Sequence, residues 1–148
     1  MAAPAPRPID PRGPRFGAAI TAVLLAVAII LGPVTGLWLL VVQTAAFAAG
    51  AVLGLKYQPW GWLYSRFVRP RLGRPADLED PRPPRFAQAV GLGFAVLGLV
   101  GALAGVAWLF YLAVGFALAA ALLNAVFDFC LGCELYLLGQ RLGARAAA

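Results

Sequence analysis

The sequence predicts an all-α membrane protein of four transmembrane helices, built from two parallel tandem two-helix repeats with short cytoplasmic interfacial helices. Three observations carry that prediction. The chain is 62% hydrophobic and 12% charged, with a mean hydropathy of +0.84, whereas a soluble domain is nearer half apolar and a quarter charged. No charged residue occurs from Phe16 to Leu55 or from Phe86 to Phe127. Each stretch can cross a hydrocarbon layer of roughly 30 Å twice, at about 20 residues per crossing. Finally, Asp10-Pro11-Arg12-Gly13-Pro14-Arg15-Phe16 returns seventy residues on as Asp80-Pro81-Arg82-Pro83-Pro84-Arg85-Phe86. The same offset aligns Trp38 with Trp108 and Arg71-Leu72-Gly73 with Arg141-Leu142-Gly143. A repeat of this length implies two copies of one unit, so a chemical difference between the copies marks a candidate for function.

Residues 1–14, rich in Ala, Pro and Arg, form an N-terminal tail in which Asp10 offers an N-cap and Pro11 suits a first helical turn. The first repeat occupies 15–74, with spans over about 16–33 and 37–57 that turn at Gly32-Pro33-Val34-Thr35-Gly36. An apolar run behind a basic start has the look of a signal peptide, but its counterpart lies deep in the chain, so it is read as structural. From Lys56 to Arg85, Tyr57, Trp60, Trp62, Tyr64 and Phe67 alternate with Arg66, Arg69, Arg71 and Arg74, a pattern for a short amphipathic helix in the headgroup layer. Residues 75–84 are a cytoplasmic linker carrying Asp77, Glu79 and Asp80. The second repeat occupies 85–143, with spans over about 86–103 and 108–129 and a turn near 102–107. Residues 144–148 are a tail. Trp38 and Trp108 belong just inside the outer interface, where an indole keeps its ring in lipid and its N–H near water.

All twelve Lys and Arg residues lie in the N-terminal tail, in Lys56–Arg85, or from Arg141 onward. The positive-inside rule then puts both termini and the central loop in the cytoplasm. Two spans per copy make the repeats parallel, which excludes an inverted transporter repeat. The net charge of +6 makes anionic lipid headgroups the expected partner. No aromatic-basic groove of the nucleic-acid kind is present, so no nucleic acid is expected. Gly50/Gly54 and Gly101/Gly105 have helix-packing spacing, a weak signal in so Gly-rich a chain; a homo-oligomer is one arrangement open to it.

With no His, the residues left for chemistry are few. Cys130 and Cys133, at Cys-x-x-Cys spacing, are the catalytic candidates. In mid-helix they would sit roughly 60° apart in azimuth, with Glu134 beside them opposing a thiolate and no free N–H to favour one. Their repeat partners are Trp60 and Leu63, and Pro59, partner of Phe129, should break the second span. A matching break in the fourth span would make Cys130 the first residue of a helix over 130–142, at a positive helix end that stabilises a thiolate. An unbroken helix through 125–138 would contradict this. The bland reading makes both cysteines apolar packing residues. A Cys-only metal site would need two chains to supply four thiolates; no metal or cofactor is expected. Asp128, one turn from Asn124, is a further candidate, or else a solvated helix end or a partner for Arg15 or Arg85. Arg12, Arg15, Arg82 and Arg85 could clamp an anionic ligand or partner, or anchor the helix starts against lipid phosphates.

Asp10 to Phe16, Leu78 to Gln88 and Phe129-Cys130-Leu131-Gly132-Cys133-Glu134 together resemble the bacterial membrane family catalogued as domain of unknown function 4395, over nearly the whole chain. The resemblance implies a multi-pass bacterial membrane protein, often encoded beside thioredoxin-like or sulfurtransferase proteins, with no assigned activity. It favours thiol or sulfur chemistry. Three functions are weighed: a thiol-disulfide or sulfur relay through Cys130/Cys133 with a cytoplasmic partner, a non-catalytic membrane scaffold, and passage of a small solute. The last is ranked lowest because the spans offer only Thr21, Gln43, Thr44, Gln88 and Asn124 as a polar path. Quinone-linked disulfide enzymes are also four-helix proteins with Cys pairs, but they use a second thiol pair or an oxidising outer face. This chain has neither, so that likeness is set aside.

Overall fold

Within the first apolar run a single residue interrupts the helix. The computed structural model describes residues 4–148, and α1 (Arg12–Thr35) breaks at Gly32, whose φ of 78° and ψ of 177° are non-helical. Pro33 suits the start of a new helix because its missing N–H would have no partner there. Gly36 keeps helical dihedrals and donates its N–H to Gly32 O at 2.8 Å, so this helix runs on into α2 (Leu37–Ala48) and a π-helical turn over Ala49–Leu53. The reversal expected across five residues is therefore concentrated at Gly32. A Cβ on Gly36 would overlap the Ala28 carbonyl, so the two arms meet backbone to backbone.

Short helices follow: a 3-10 turn at Leu55–Tyr57, α3 (Pro59–Leu63), a π-helical turn at Tyr64–Val68 and α4 (Arg69–Leu72). Gln58 caps α3 by accepting the Gly61 N–H at 2.6 Å, leaving Pro59 at the first position, where it costs no hydrogen bond. The second hairpin joins α5 (Arg82–Leu103) to α6 (Ala107–Phe127) without proline. Gly105, at φ 71°, donates to Ala102 O at 3.4 Å and Val106 donates to Gly101 O at 2.8 Å. This is a Schellman closure, which glycine makes at little steric cost. No strand occurs among the described residues; the one antiparallel bridge pairs Ile9 with Glu79.

α1, α5 and α6 are long and apolar enough to cross a membrane, and the shorter apolar helix Leu37–Leu53 accompanies them. Ile30 and Val34 are 80% and 81% exposed, as befits a surface whose solvent is lipid, and the whole fits a multi-pass membrane protein. The halves interlock. α1 packs on α6 and α2 on α5, while α5 also packs on α6. Leu25, Leu40, Phe110 and Val114 are fully buried at their centre.

Each second helix ends with carbonyls that have no partner within the helix, and an arginine from the other half reaches them. Arg15 donates to Ala125 O (Nε, 3.0 Å) and Val126 O (Nη2, 3.4 Å). Arg85 donates to Ala51 O and Val52 O, both at 2.8 Å. A cation at a helix C-terminus is also favoured by the helix dipole. Arg15→Met and Arg85→Met should each lower stability by about 1–2 kcal/mol, toward the lower part of the range for charged hydrogen bonds because both side chains are exposed. Thermal unfolding in detergent, with the corresponding Arg→Lys variants recovering part of the loss, checks this.

Candidate functional site

The break before Cys130 is present. α6 ends at Phe127, and Asp128 adopts a left-handed conformation (φ 54°, ψ 32°) that turns the chain out of the helix; aspartate tolerates this region better than most side chains. Two residues later Cys130 is the N-cap of α7 (Leu131–Ala147), a helix longer than the expected 130–142. Its Sγ accepts the Cys133 N–H at 3.3 Å, the reach of an N-cap to the third helical residue. Cys130 and Cys133 are joined by a disulfide, with their Cα atoms 5.2 Å apart, inside the usual range for such a bond.

α7 is pinned to the start of α5. Gly132 is buried so closely on Ala87 that an added Cβ would lie 2.6 Å from the Ala87 Cα. The Phe86 and Tyr136 rings are 5.7 Å apart. Both cysteines are half-buried, and Cys130 forms part of the wall of a cavity of about 300 Å³ between α1, α2, α5, α6 and α7. Glu134 is exposed in the first turn of α7.

Asp128 is exposed too, in the turn that follows the last residue of α6. The expectation that it could pair with Arg15 or Arg85 is corrected. Both guanidinium groups lie on backbone carbonyls, and among the described residues the ion pairs are Arg12–Asp10 at 3.0 Å and Arg82–Asp80 at 2.6 Å. Asp10 is also not the N-cap of α1. Pro11 holds that place, and Asp10 grips Arg12 through its backbone N–H and its guanidinium. Asp80 repeats the arrangement on Arg82. Thus all four arginines singled out from the sequence have partners inside the protein.

The two clamps differ in two respects, since Arg12 also donates to Gly73 O at 2.9 Å and Asp10 also accepts the Tyr64 hydroxyl at 2.8 Å. Burial opposes its ionisation, but the hydrogen bonds from Arg12 and Tyr64 outweigh this and hold its pKa below the usual carboxylate range. Arg82 lowers Asp80 in the same direction, by side-chain and backbone hydrogen bonds. A depressed folded-state pKa contributes stability above the unfolded-state value, lost as pH falls through the folded one. Thermal stability should therefore be flat down to about pH 5 and decline below about pH 4, with Asp10→Asn showing a smaller acid-side decline. A thermal scan at pH 3–6 tests it.

Three polar contacts had no sequence signal: the Tyr64–Asp10 bond, the Gln58 cap, and the Trp60 Nε1 bond to Gln43 Oε1 at 3.1 Å within the helix packing. Gln43 is fully buried, and among the described residues neither its Nε2 nor Gln88 Oε1 has a hydrogen-bond partner. Among the described residues no group of three or more His, Cys, Asp or Glu converges.

No curated protein and no solved structure matches the chain. The family model described as a domain of unknown function, DUF4395, matches residues 9–141. That match takes in both Asp-Pro-Arg elements, both hairpins and the disulfide turn, and the chain belongs to that family.

Proposed function

We propose that the protein is a four-span membrane protein whose Cys130/Cys133 pair carries out thiol-disulfide exchange or sulfur relay with a cytoplasmic thiol protein. Cys130 is the attacked and attacking sulfur, and Cys133 resolves. The observation that carries this reading is the position of the disulfide at a helix start. When the bond is reduced, the N–H that Cys130 Sγ now accepts and the positive helix end both favour a thiolate there. In exchange, a partner thiolate attacks Cys130 and forms a mixed disulfide as the Cys133 thiolate leaves. A second partner thiol then releases Cys130, so the partner is oxidised as the pair is reduced.

Four spans are supported by the non-helical Gly32, which separates 12–31 from a second helix that begins at Pro33 and ends at Leu53. Two parallel repeats are supported by relations between positions seventy apart. Ile9 and Glu79 exchange both backbone hydrogen bonds, at 2.8 and 2.9 Å, as equivalent residues astride a two-fold axis would. The Asp-Arg clamps recur at that offset, and the Arg15 and Arg85 caps cross from each half to the other. The Lys and Arg distribution supports cytoplasmic termini.

Equilibration of the full-length protein with dithiothreitol redox buffers tests the exchange reading. The pair should have a midpoint between about −270 and −120 mV, the range of dithiol oxidoreductases. A pair that stays oxidised below about −300 mV is a structural staple, and the reading fails.

A further inference from the structure

The two halves differ in which side chains line the cavity at the start of the helix that follows the second span. In the first half Trp60 lies over the helix packing and bonds Gln43, and Phe47 is buried in the core. Seventy residues on, Trp60 becomes Cys130 and Phe47 becomes Ala117. Both of these smaller residues line the cavity of about 300 Å³. Cys130, half of the disulfide, thus stands in the wall of this space, whereas the first half's cavity of about 290 Å³ is lined by Gln58, Gly61 and Tyr64.

The cavity runs from Phe116 and Ala117, near the middle of α6, to Cys130 at the start of α7. That is on the order of 15–20 Å along the helix direction at 1.5 Å per residue. Its wall is mainly apolar, with Thr21, Gln88 and Asn124 as polar exceptions and Phe94 and Phe116 as aromatic surfaces. Such a volume is at the lower end for small-molecule sites, suited to one substituted ring. A lipid acyl chain would leave Thr21 and Asn124 without a use, and burying unpaired polar groups is costly.

We propose that this cavity receives the ring of a lipid-soluble quinone, which oxidises the Cys130–Cys133 dithiol. The proposal rests on the exchange reading above. The two thiols give up two electrons and two protons and form the S–S bond. The quinone accepts both and becomes the quinol, with an O–H at each former carbonyl. Asn124 and Thr21 supply donors for a quinone carbonyl. Gln88 Oε1 is sealed against Gly50 and out of reach of the cavity, so the Asn124 and Thr21 side-chain oxygens are the acceptors for a quinol O–H. This revises the expectation drawn from the sequence, where the lack of a second thiol pair set a quinone aside. A soluble dithiol partner exchanging directly with Cys130/Cys133 makes a second pair unnecessary.

The test uses full-length reduced protein in lipid nanodiscs under anaerobic conditions, with duroquinone, whose ring is fully substituted and does not form thioether adducts readily. Disulfide formation and quinol absorbance are followed together. Wild-type protein should be oxidised with a rate that saturates in duroquinone and with one quinol formed per disulfide. Ala117→Phe, which restores the first copy's residue, should slow this at least tenfold. Asn124→Leu, a second variant should the first misfold, should slow it several-fold. Rates that do not saturate, or that neither variant changes, overturn the proposal. Glutathione disulfide separates the two readings: wild-type protein oxidised by it but not by duroquinone overturns the quinone site alone, and protein oxidised by neither overturns both.

Discussion

Cys133→Ser protein should stop exchange half way, accumulating a mixed disulfide through Cys130, while Cys130→Ser protein accumulates at least tenfold less. The asymmetry follows from the local backbone. Cys130 is the N-cap of α7 and its sulfur accepts the Cys133 N–H at 3.3 Å, whereas Cys133 lies within the first turn, where its own sulfur receives no such bond in the structure. A lower thiol pKa raises the thiolate fraction at neutral pH and also makes that sulfur the better leaving group. Serine is itself a favoured N-cap, so Cys130→Ser keeps the start of α7 and removes only the sulfur. Challenge of each variant with a small thioredoxin-like protein, followed by acid quenching and non-reducing mass spectrometry, reads the trapped species directly. Equal trapping by both variants would place the nucleophile wrongly.

Gly132→Val should dislodge the helix that carries the site. A Cβ at 132 would lie 2.6 Å from both the Cα and the Cβ of Ala87. Backbone cannot give way as a flexible side chain can, so α7 must move off α5. Overpacking of this kind costs about 1–3 kcal/mol. The Phe86–Tyr136 contact should be lost with it, and the Asp128–Phe129 turn should become several-fold more sensitive to protease. Gly139 on the same helix has nothing within reach of an added Cβ. Gly139→Ala should be neutral or stabilise by up to about 1 kcal/mol through helix propensity. Hydrogen exchange of α7 amides distinguishes the pair, and similar behaviour of the two variants would contradict the packing account.

What the sequence made legible depended on long-range regularity more than on local propensity. The offset between Asp10 and Asp80 located the second hairpin, at Ala104–Val106, although that turn has no proline. The uncharged runs marked the apolar helices because lipid tolerates so few charges. Comparison of Pro59 with Phe129 located the break that makes Cys130 an N-cap, but not its mechanism, since a left-handed aspartate leaves no compositional mark. The roles of the arginines were not legible. Arg15 and Arg85 reach carbonyls more than thirty residues away in sequence, and only the interlocking of the halves brings those together. Asp10 carries the composition of an N-cap, yet the bidentate pull of Arg12 and the Tyr64 hydroxyl take it for a different purpose. The pairs Trp60/Cys130 and Phe47/Ala117 put smaller residues in the second copy, but a list of differences does not say which ones face a common space.

The central claim, a redox-active cysteine pair on the cytoplasmic side of the membrane, is tested most directly by thiol trapping in intact cells. Cells would be acid-quenched and alkylated with and without prior reduction, and parallel live samples labelled with membrane-permeant and impermeant maleimides. The account predicts that Cys130 and Cys133 label with the permeant reagent only, and that the labelled fraction rises on reduction and falls on a brief diamide challenge. Labelling by the impermeant reagent, or thiols whose state ignores both reductant and oxidant, would contradict it.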